Sequence, residues 1–261
     1  DNIIHVDASI DPVRDKETID IELQLKDLET VQKRLERVKR TAKTGNKEAQ
    51  AELVVLLKIE ETLLQGVSVR TIDFSEKEQE FITPLQFITS KPVLDGCNVD
   101  ENSAVTGNGY VDKVKEAVKN EDAEVIVLAV GTEADITELE DYDERQLFLE
   151  DIGLEEAGVS RLIRSAYKLL NLQTYFTAGV KEVRAWTIQI GATGPQAAGV
   201  IHTDFEKGFI RAETISYEDY VTFGTEAKVK EAGNMRVEVK EDVAPDGDVM
   251  HFRFNVQHTL I

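Results

Sequence analysis

Asn98 and Glu101 are the two residues whose types and spacing most directly suggest chemistry. They follow an apolar run that starts at Lys91, and a stretch with helical periodicity, residues 110–119, comes after them. A carboxamide at the end of a strand offers a donor and an acceptor, so it can pair with the N7 edge of a purine or position neighbouring loops. An aspartate three residues later would accept hydrogen bonds from N1–H and the 2-amino group of guanine. Glu101 is one methylene longer, which relaxes that demand for guanine.

A second apolar stretch, residues 124–130, ends in Gly131 and Thr132. The order of strand, polar turn, helix, strand and small-residue loop is typical of the purine end of a P-loop nucleotide pocket, where backbone groups near Val99 would face adenine. The sequence contains no Gly-x-x-x-x-Gly-Lys-Ser/Thr loop, so it does not encode the phosphate end of such a pocket. The alternative interpretation of Asn98 and Glu101 is a polar turn that caps a helix.

The other residues that could do chemistry form weaker patterns. His202 precedes Asp204, but the remaining histidines are scattered, so a structural or interface histidine is favoured over a metal ligand. Cys97 is the only cysteine, which excludes an intramolecular disulfide and, with apolar residues on one side, predicts a buried and unreactive thiol. No serine lies in a nucleophile elbow, and the acidic residues are too numerous to single out a catalytic pair. We expect no catalytic residue and no metal ligand in this sequence.

The composition is strongly acidic. Asp and Glu number 50 against 30 Lys and Arg, which gives a formal charge of −20 and a pI near 4.6. This charge opposes diffuse attraction to nucleic-acid phosphates, so contact with RNA would need a local basic patch. No apolar run approaches the length of a membrane span, and the first residues lack the basic and apolar regions of a signal peptide. We therefore expect a cytoplasmic protein.

Residues 15–66 carry the pattern of an antiparallel helical hairpin. Apolar residues recur at spacings of three and four on both sides of Gly45-Asn46: Leu28, Val31, Leu35, Val38 and Ala42 before it, and Ala49, Leu53, Leu56 and Leu63 after it. Two helices joined by a short turn must pack side by side. The basic residues Lys33, Arg34, Arg37 and Arg40 lie near the tip, where they are candidate RNA contacts. The alternative is an ordinary solvated helix face.

The rest of the chain divides into two regions. Residues 67–172 alternate between helical and strand patterns, as in an α/β layer, although Asp95-Gly96 places a charge and a glycine where a buried strand needs apolar residues. From about Thr174 onward, alternation predicts strands at residues 183–190, 210–215, 235–239 and 249–256. Short strands around one or two helices indicate a small α+β module such as a β-grasp, although the spacing does not distinguish it from other mixed sheets.

Four segments make the sequence resemble a known family. Residues 166–179 (AYKLLNLQTYFTAG), 183–187 (VRAWT), 202–213 (HTDFEKGFIRAE) and 246–250 (DGDVM) resemble the Obg-like ATPases of the YchF family. The matches are long and nearly unbroken, and the resemblance covers almost the whole chain. One departure from the family pattern is the lack of the phosphate loop, switch regions and magnesium ligands, which should precede Asp1, so we expect this chain to be the C-terminal portion of such a protein. The other departures are Asp95-Gly96 in the strand and the segment 257–261 at the end.

The resemblance implies a fold and a site. The fold would be a partial P-loop NTPase domain of Rossmann-like α/β type (residues 1–14 and 67–172), an inserted coiled-coil hairpin (15–66) and a C-terminal TGS domain of β-grasp type (173–261). The nucleotide would be ATP in preference to GTP, because Glu101 replaces the guanine-reading aspartate. The nucleotide-binding residues it implies are Asn98, Val99, Glu101, Val130, Gly131 and Thr132.

The resemblance also implies partners and a cofactor. The family uses Mg²⁺, whose ligands this sequence lacks, so we expect the complete protein to bind and hydrolyse ATP and this chain alone to be inactive. The family is associated with the ribosome, and we expect a monomer without membrane or DNA partners. The rival hypothesis is a non-enzymatic ribosome- or RNA-binding module made of the helical hairpin of residues 15–66 (the arm) and the TGS domain.

Overall fold

The computed structural model describes residues 9–121 and 123–255. The chain forms two compact units, residues 1–166 and residues 167–261. Expectations that fall on residues 1–8 and 256–261, including His5, His258 and the segment 257–261, lie outside the described residues. Across the ranges that are described, no helix is both long enough and apolar enough to cross a membrane. The division into three functional domains stays a prediction.

Two long helices, α1 (Pro12–Ala42) and α2 (Lys47–Leu64), pack against each other in the first unit. Asp11 caps α1 by accepting from the Arg14 N–H at 3.2 Å, and Asn46 caps α2 by accepting from the Ala49 N–H at 2.9 Å. Gly45 has φ 86°, which allows the tight connection between the helices. The apolar residues buried between the two helices include Val31, Leu35, Val38, Ala42, Leu56, Ile59 and Leu63. Helices are thus present where the spacing of apolar residues predicts them.

The remainder of the first unit alternates helices and strands. In chain order the elements are α3 (Glu76–Ile82), β1 (Val93–Asn98), α4 (Gly109–Val118), β2 (Ala123–Leu128), α5 (Val130–Glu138), α6 (Tyr142–Asp151) and α7 (Gly158–Leu169). Short 3₁₀ turns occur at Val69–Thr71, Thr83–Leu85 and Glu101–Ser103. Ser75 and Glu78 form a reciprocal capping box at the start of α3.

β1 and β2 are parallel, with Val93 opposite Ala123 and Asn98 opposite Leu128. Helix α4 connects the two strands and buries Val111, Val114 and Val118. The predicted strand at residues 124–130 was wrong at its end, because β2 stops at Leu128 and Val130 begins α5. Gly131 and Thr132 therefore lie in the first turn of a helix and not in a loop. Because β1 ends opposite Leu128, a longer β2 would lack a hydrogen-bonding partner in β1. A helix that starts at Val130 supplies the hydrogen bonds of its own backbone.

The second unit contains a mixed five-stranded sheet. Its elements are β3 (Leu172–Ala178), β4 (Val183–Gln189), α8 (Gly194–Ile201), α9 (Thr203–Lys207), β5 (Phe209–Ile215), α10 (Tyr217–Phe223), α11 (Glu226–Glu231), β6 (Arg236–Glu238) and β7 (Val249–Phe254). The strand order is β4-β3-β7-β5-β6. β3 and β7 are parallel, and the other neighbouring pairs are antiparallel. The four predicted strands are present with shifts of one or two residues at their ends, whereas β3 was not predicted.

The core of this unit is an apolar cluster with one buried hydroxyl. Tyr175 is fully buried, and its OH donates to the carbonyl of Ala197 on α8 at 2.9 Å. Its ring meets Phe252 edge to face, with centroids 5.6 Å apart. Burial raises the pKa of the Tyr175 hydroxyl. This contact joins the sheet to the helices that cover it.

Gly208 offers a test of packing in the second unit. A Cβ at this position would collide with the backbone carbonyl of Asn255 and lie 3.0 Å from the carbonyl oxygen of Asp204. We expect Gly208→Ala to lower the free energy of unfolding by about 1–3 kcal/mol, because backbone atoms must move. Gly179→Ala is the matched control, since its Cβ would meet only the Glu182 carbonyl oxygen, at 3.6 Å.

Urea unfolding followed by fluorescence of Trp186, the only tryptophan, measures both variants. Equal stability of the two variants would contradict the close approach of the backbone at Gly208.

Candidate nucleotide-base site

The parallel strands of the first unit bring Asn98 and Val130 together. Asn98 is the last residue of β1, and its Oδ1 accepts a hydrogen bond from the backbone N–H of Val130, the first residue of α5, at 3.1 Å. The side-chain oxygen is therefore occupied. The side-chain NH₂ of Asn98 makes no hydrogen bond to any residue in the described ranges. The site thus retains a donor, and the N7 atom of a purine is an acceptor.

The backbone of Val99 is partly used by the fold. Its N–H donates to the carbonyl of Leu128 at 2.8 Å, which extends the pairing of β1 and β2 by one residue. This N–H is therefore not free to donate to adenine, whereas the sequence analysis expects backbone groups near Val99 to face the base. Any contribution of Val99 to base recognition must come from other groups of the residue.

The turn that carries Glu101 is held by its neighbour. Asp100 Oδ1 accepts from the backbone N–H of Ser103 at 3.2 Å and caps the 3₁₀ turn. The cap of helix α4 is Asn108, whose Oδ1 accepts from Tyr110 at 3.0 Å and from Val111 at 3.2 Å. Capping thus falls to Asp100 and Asn108. The exposed carboxylate of Glu101 forms no hydrogen bond or ion pair with the described part of the chain.

The first turn of α5 is fixed by a residue that the sequence analysis did not identify. Glu133 Oε1 accepts from the backbone N–H of Gly158 at 2.6 Å, which ties the start of α5 to the start of α7. Thr132 is 5% exposed, whereas Val130 and Gly131 are exposed. This contact requires a glycine at position 158, because a Cβ there would lie 2.5 Å from Glu133 Oε1. A sequence alone does not reveal that close approach.

A cavity of about 390 Å³ lies along β1. Asn98 and Val99 line it together with Lys16 of α1 and Asn108 and Tyr110 of α4. The other four predicted nucleotide-binding residues, Glu101, Val130, Gly131 and Thr132, are not part of its lining. The structure therefore brings Asn98 together with Val130 by a hydrogen bond and with Val99 in a cavity, whereas Glu101 is exposed and outside the lining of that cavity.

Asp95 and Cys97 are partly buried on the same strand. Burial raises the pKa of Asp95, and the nearby ammonium group of Lys16 opposes that change. Asp95 Oδ2 is buried without a hydrogen-bond partner among the described residues. Burial also raises the pKa of the Cys97 thiol, although the side chain is only partly buried and not fully buried as the sequence predicts. Nothing in the structure explains Gly96, around which a Cβ would meet open space.

The four basic residues of the arm have different environments. Arg34 Nε donates to Glu52 Oε1 on α2 at 2.6 Å, and the Glu52 side chain is 9% exposed. Arg34 therefore joins the two helices of the arm. Lys33, Arg37 and Arg40 are exposed and have no ion pair with any described residue. They form an unpaired basic surface near the tip.

One side-chain group in the second unit has the composition of a metal site, and it does not suit Mg²⁺. Ligand atoms of Glu213, Glu226 and His251 lie within 4.8 Å of one another, the only such group in the described ranges. Glu213 already accepts from Arg211 at 2.9 Å and from Arg253 at 2.7 Å. Two guanidinium groups beside the carboxylate repel a cation, and Mg²⁺ prefers an all-oxygen shell. The implied Mg²⁺ therefore has no fitting ligand set in this part of the chain.

Comparison with known proteins identifies the class to which this fold belongs. The family model YchF-GTPase_C, described as "Protein of unknown function (DUF933)", matches residues 172–255. The structure of the Schizosaccharomyces pombe YchF GTPase superposes with a TM-score of 0.83 at 34% identity, covering 97% of this chain and 68% of that one. A GTP-binding protein from Pyrococcus horikoshii, with a TM-score of 0.57 at 17% identity, shares the fold over 94% of this chain and 72% of its own.

Curated relatives specify the family. The ribosome-binding ATPase YchF of Escherichia coli is 52% identical over 256 residues, which is 98% of this chain and 70% of the relative. The protein of the same name from Bacillus subtilis is 48% identical over 258 residues, with the same coverage. The chain therefore belongs to the YchF family.

The ion pairs of Glu213 with Arg211 and Arg253 make the stability of the second unit depend on pH. Hydrogen bonds from Arg253 and Arg211 lower the pKa of Glu213 from 4.5 to about 2. Because the folded pKa lies below the unfolded one, the stabilisation is complete above about pH 4.5 and is lost as the pH falls towards 2. We expect Glu213→Gln to destabilise the second unit at pH 6, and the difference from wild type to shrink over this acidic range.

Thermal unfolding at several pH values, with exposed Glu218→Gln as the control, measures this effect. If the destabilisation by Glu213→Gln stays constant from pH 6 to the acidic limit, the ion pairs of Glu213 with Arg211 and Arg253 are not its cause.

Proposed function

We propose that this chain binds the adenine end of ATP at the ends of β1 and β2 and contacts the ribosome through its helical arm. The relatives from Escherichia coli and Bacillus subtilis are named ribosome-binding ATPases, whereas the Schizosaccharomyces pombe structure is titled a GTPase. The nucleotide preference therefore has to be argued from this chain's own residues. The sequence has no P-loop motif, so the proposal concerns recognition of the base.

The observation that carries the proposal is the hydrogen bond between Asn98 Oδ1 and the Val130 N–H. It fixes the orientation of the carboxamide and leaves the NH₂ group as the donor that can meet a ligand. That group donates to N7 in both adenine and guanine, so Asn98 would recognise a purine without choosing between them. Gly131 and Thr132 would lie beside the same purine ring as part of the first turn of α5.

The choice between adenine and guanine would depend on Glu101. A carboxylate favours guanine only if it accepts from both N1–H and the 2-amino group, which requires a defined position. Glu101 lies exposed in a turn and has no partner within 9–121 or 123–255 to hold it in one position. We therefore propose that the chain prefers ATP, with the residues Asn98, Val99, Glu101, Val130, Gly131 and Thr132 forming the base site.

A pair of charge-matched variants tests the base site. Asn98→Asp keeps an oxygen for the Val130 N–H and replaces the free NH₂ by a second acceptor, which repels N7. We expect Asn98→Asp to weaken ATP binding about tenfold, the effect of losing one hydrogen bond of about 1.4 kcal/mol. Asn102→Asp, an exposed position in the same turn, adds the same charge and should leave the affinity unchanged.

Isothermal titration calorimetry with ATP measures both variants. Equal affinities of Asn98→Asp and Asn102→Asp would remove Asn98 from the site. If the wild-type chain binds no nucleotide at all, the rival function, a non-enzymatic ribosome-binding module, takes the place of this proposal.

The preference for adenine has its own test. Shortening the side chain in Glu101→Asp should bring the carboxylate to the position from which an aspartate reads guanine. We expect the ratio of GTP to ATP affinity to rise by about tenfold, because two hydrogen bonds to an ionised group become available for guanine alone. Competition between ATP and GTP for a fluorescent nucleotide measures the ratio. A ratio that does not change would show that Glu101 does not face the base.

The arm would meet ribosomal RNA through its unpaired cations. In a chain with net charge −20, exposed Lys33, Arg37 and Arg40 near one end provide a local positive surface, whereas Arg34 is engaged by Glu52. Changing the three exposed residues together to Glu should weaken co-sedimentation with ribosomes. The slope of log affinity against log salt should fall by about two to three, because each lost phosphate contact contributes roughly 0.7–0.9.

The matched control changes Lys77, Lys207 and Lys240 to Glu, which are exposed and produce the same net charge. If both triple variants weaken sedimentation equally, net charge alone explains the effect and the arm has no specific role.

A further inference from the structure

Asp27 is a buried carboxylate in the middle of helix α1. It is 2% exposed, and its oxygens accept three hydrogen bonds from residues distant in sequence. Oδ1 accepts from the backbone N–H of Ile88 at 2.8 Å. Oδ2 accepts from the backbone N–H of Thr89 at 2.7 Å and from Thr89 Oγ1 at 2.7 Å. Charged acceptors form strong hydrogen bonds, and the three donors offset the cost of burying the charge.

The segment that Asp27 holds is also held from its other side. Thr89 Oγ1 accepts from the backbone N–H of Val69 at 3.1 Å, and the Thr89 carbonyl accepts from the N–H of Arg70 at 3.0 Å. Phe87, 1% exposed, packs into the same apolar cluster as the arm helices. The segment 87–89 is therefore fixed between α1 and the 3₁₀ turn that follows α2.

This segment leads directly into the strand that carries the base site. β1 begins at Val93, a few residues after Thr89, and ends at Asn98. Along that path, the arm is connected to the base site by the backbone of a single short strand. A shift of α1 relative to segment 87–89 would move the start of β1, and with it the Asn98 side chain.

We propose that Asp27 is a positioning residue that couples the helical arm to the base end of the nucleotide site. The inference rests on the proposed function, since it assigns to that site a mechanical connection with the arm. Asp27 touches no ligand and acts through β1. Contact of the arm with a ribosomal partner would then change the position of Asn98, and occupancy of the base site would change the position of the arm, since coupling between two sites is reciprocal.

Substitution by asparagine is the most direct perturbation. Each oxygen of Asp27 accepts from one backbone N–H, so in Asp27→Asn one amide NH₂ must face a donor in either orientation. Thr89→Val removes the hydroxyl, whereas Thr89→Ser retains it. Val38→Ala is the control for general destabilisation, because Val38 is buried in the same hairpin (4% exposed) and lies about three helical turns along α1 from Asp27.

Hydrogen exchange of the whole chain, resolved by NMR, provides the first readout. The reporters are the amides of Val99, bonded to the Leu128 carbonyl, and Val130, bonded to Asn98. We expect their exchange to accelerate about tenfold in Asp27→Asn, the effect of one lost hydrogen bond, and to accelerate in Thr89→Val. Thr89→Ser and Val38→Ala should exchange at the wild-type rate. Unchanged exchange in Asp27→Asn, or equal acceleration in Val38→Ala, would overturn the proposal.

ATP affinity of the same variants provides the second readout. A weaker affinity in Asp27→Asn, with Thr89→Ser and Val38→Ala unchanged, supports the positioning role, and an unchanged affinity alongside faster exchange overturns it. If the wild-type chain binds no ATP, the proposed function fails. The exchange measurement then still decides whether Asp27 fixes the end of β1.

Discussion

The parallel register of β1 and β2 is the constraint on which the candidate site depends. With Asn98 opposite Leu128, the carboxamide at the end of β1 reaches the first amide of α5. A slip of one residue would turn Asn98 to the opposite face of the strand and break that contact. The same hydrogen bond decides which half of the carboxamide faces a ligand. Recognition of a purine therefore depends on strand pairing as much as on the identity of residue 98.

Two buried acidic side chains of the first unit have hydrogen-bond partners, whereas three basic residues of the helical hairpin are exposed. At the base of the arm, the buried carboxylate of Asp27 is satisfied by uncharged donors. Farther along the hairpin, Glu52 pairs with Arg34 and joins the two helices. Lys33, Arg37 and Arg40 of the same hairpin are exposed and have no ion pair with a described residue. An acidic chain thus carries a local basic surface at one end of a helical pair, connected through buried contacts to the strand that precedes the base site.

The sequence predicts the elements of this fold better than the contacts between them. The recurring apolar residues around Val31 repeat over one or two helical turns, so the local pattern reveals the helix. The end of β2 was misplaced because Ala129 and Val130 continue its apolar run. Asp27 could not be found, because nothing local distinguishes a buried acid from the exposed charges of the same helix. Its partners lie more than sixty residues away.

The central claim, that the free amide of Asn98 meets the N7 edge of adenine, can be observed directly. Adenine carries its H8 proton next to N7, so a donor to N7 must lie close to H8. In NMR spectra of the chain with ATP, the account predicts a nuclear Overhauser effect between the Asn98 side-chain amide protons and H8, together with a shift of those protons. ATP binding that leaves the Asn98 amide unshifted and gives no such effect would contradict it.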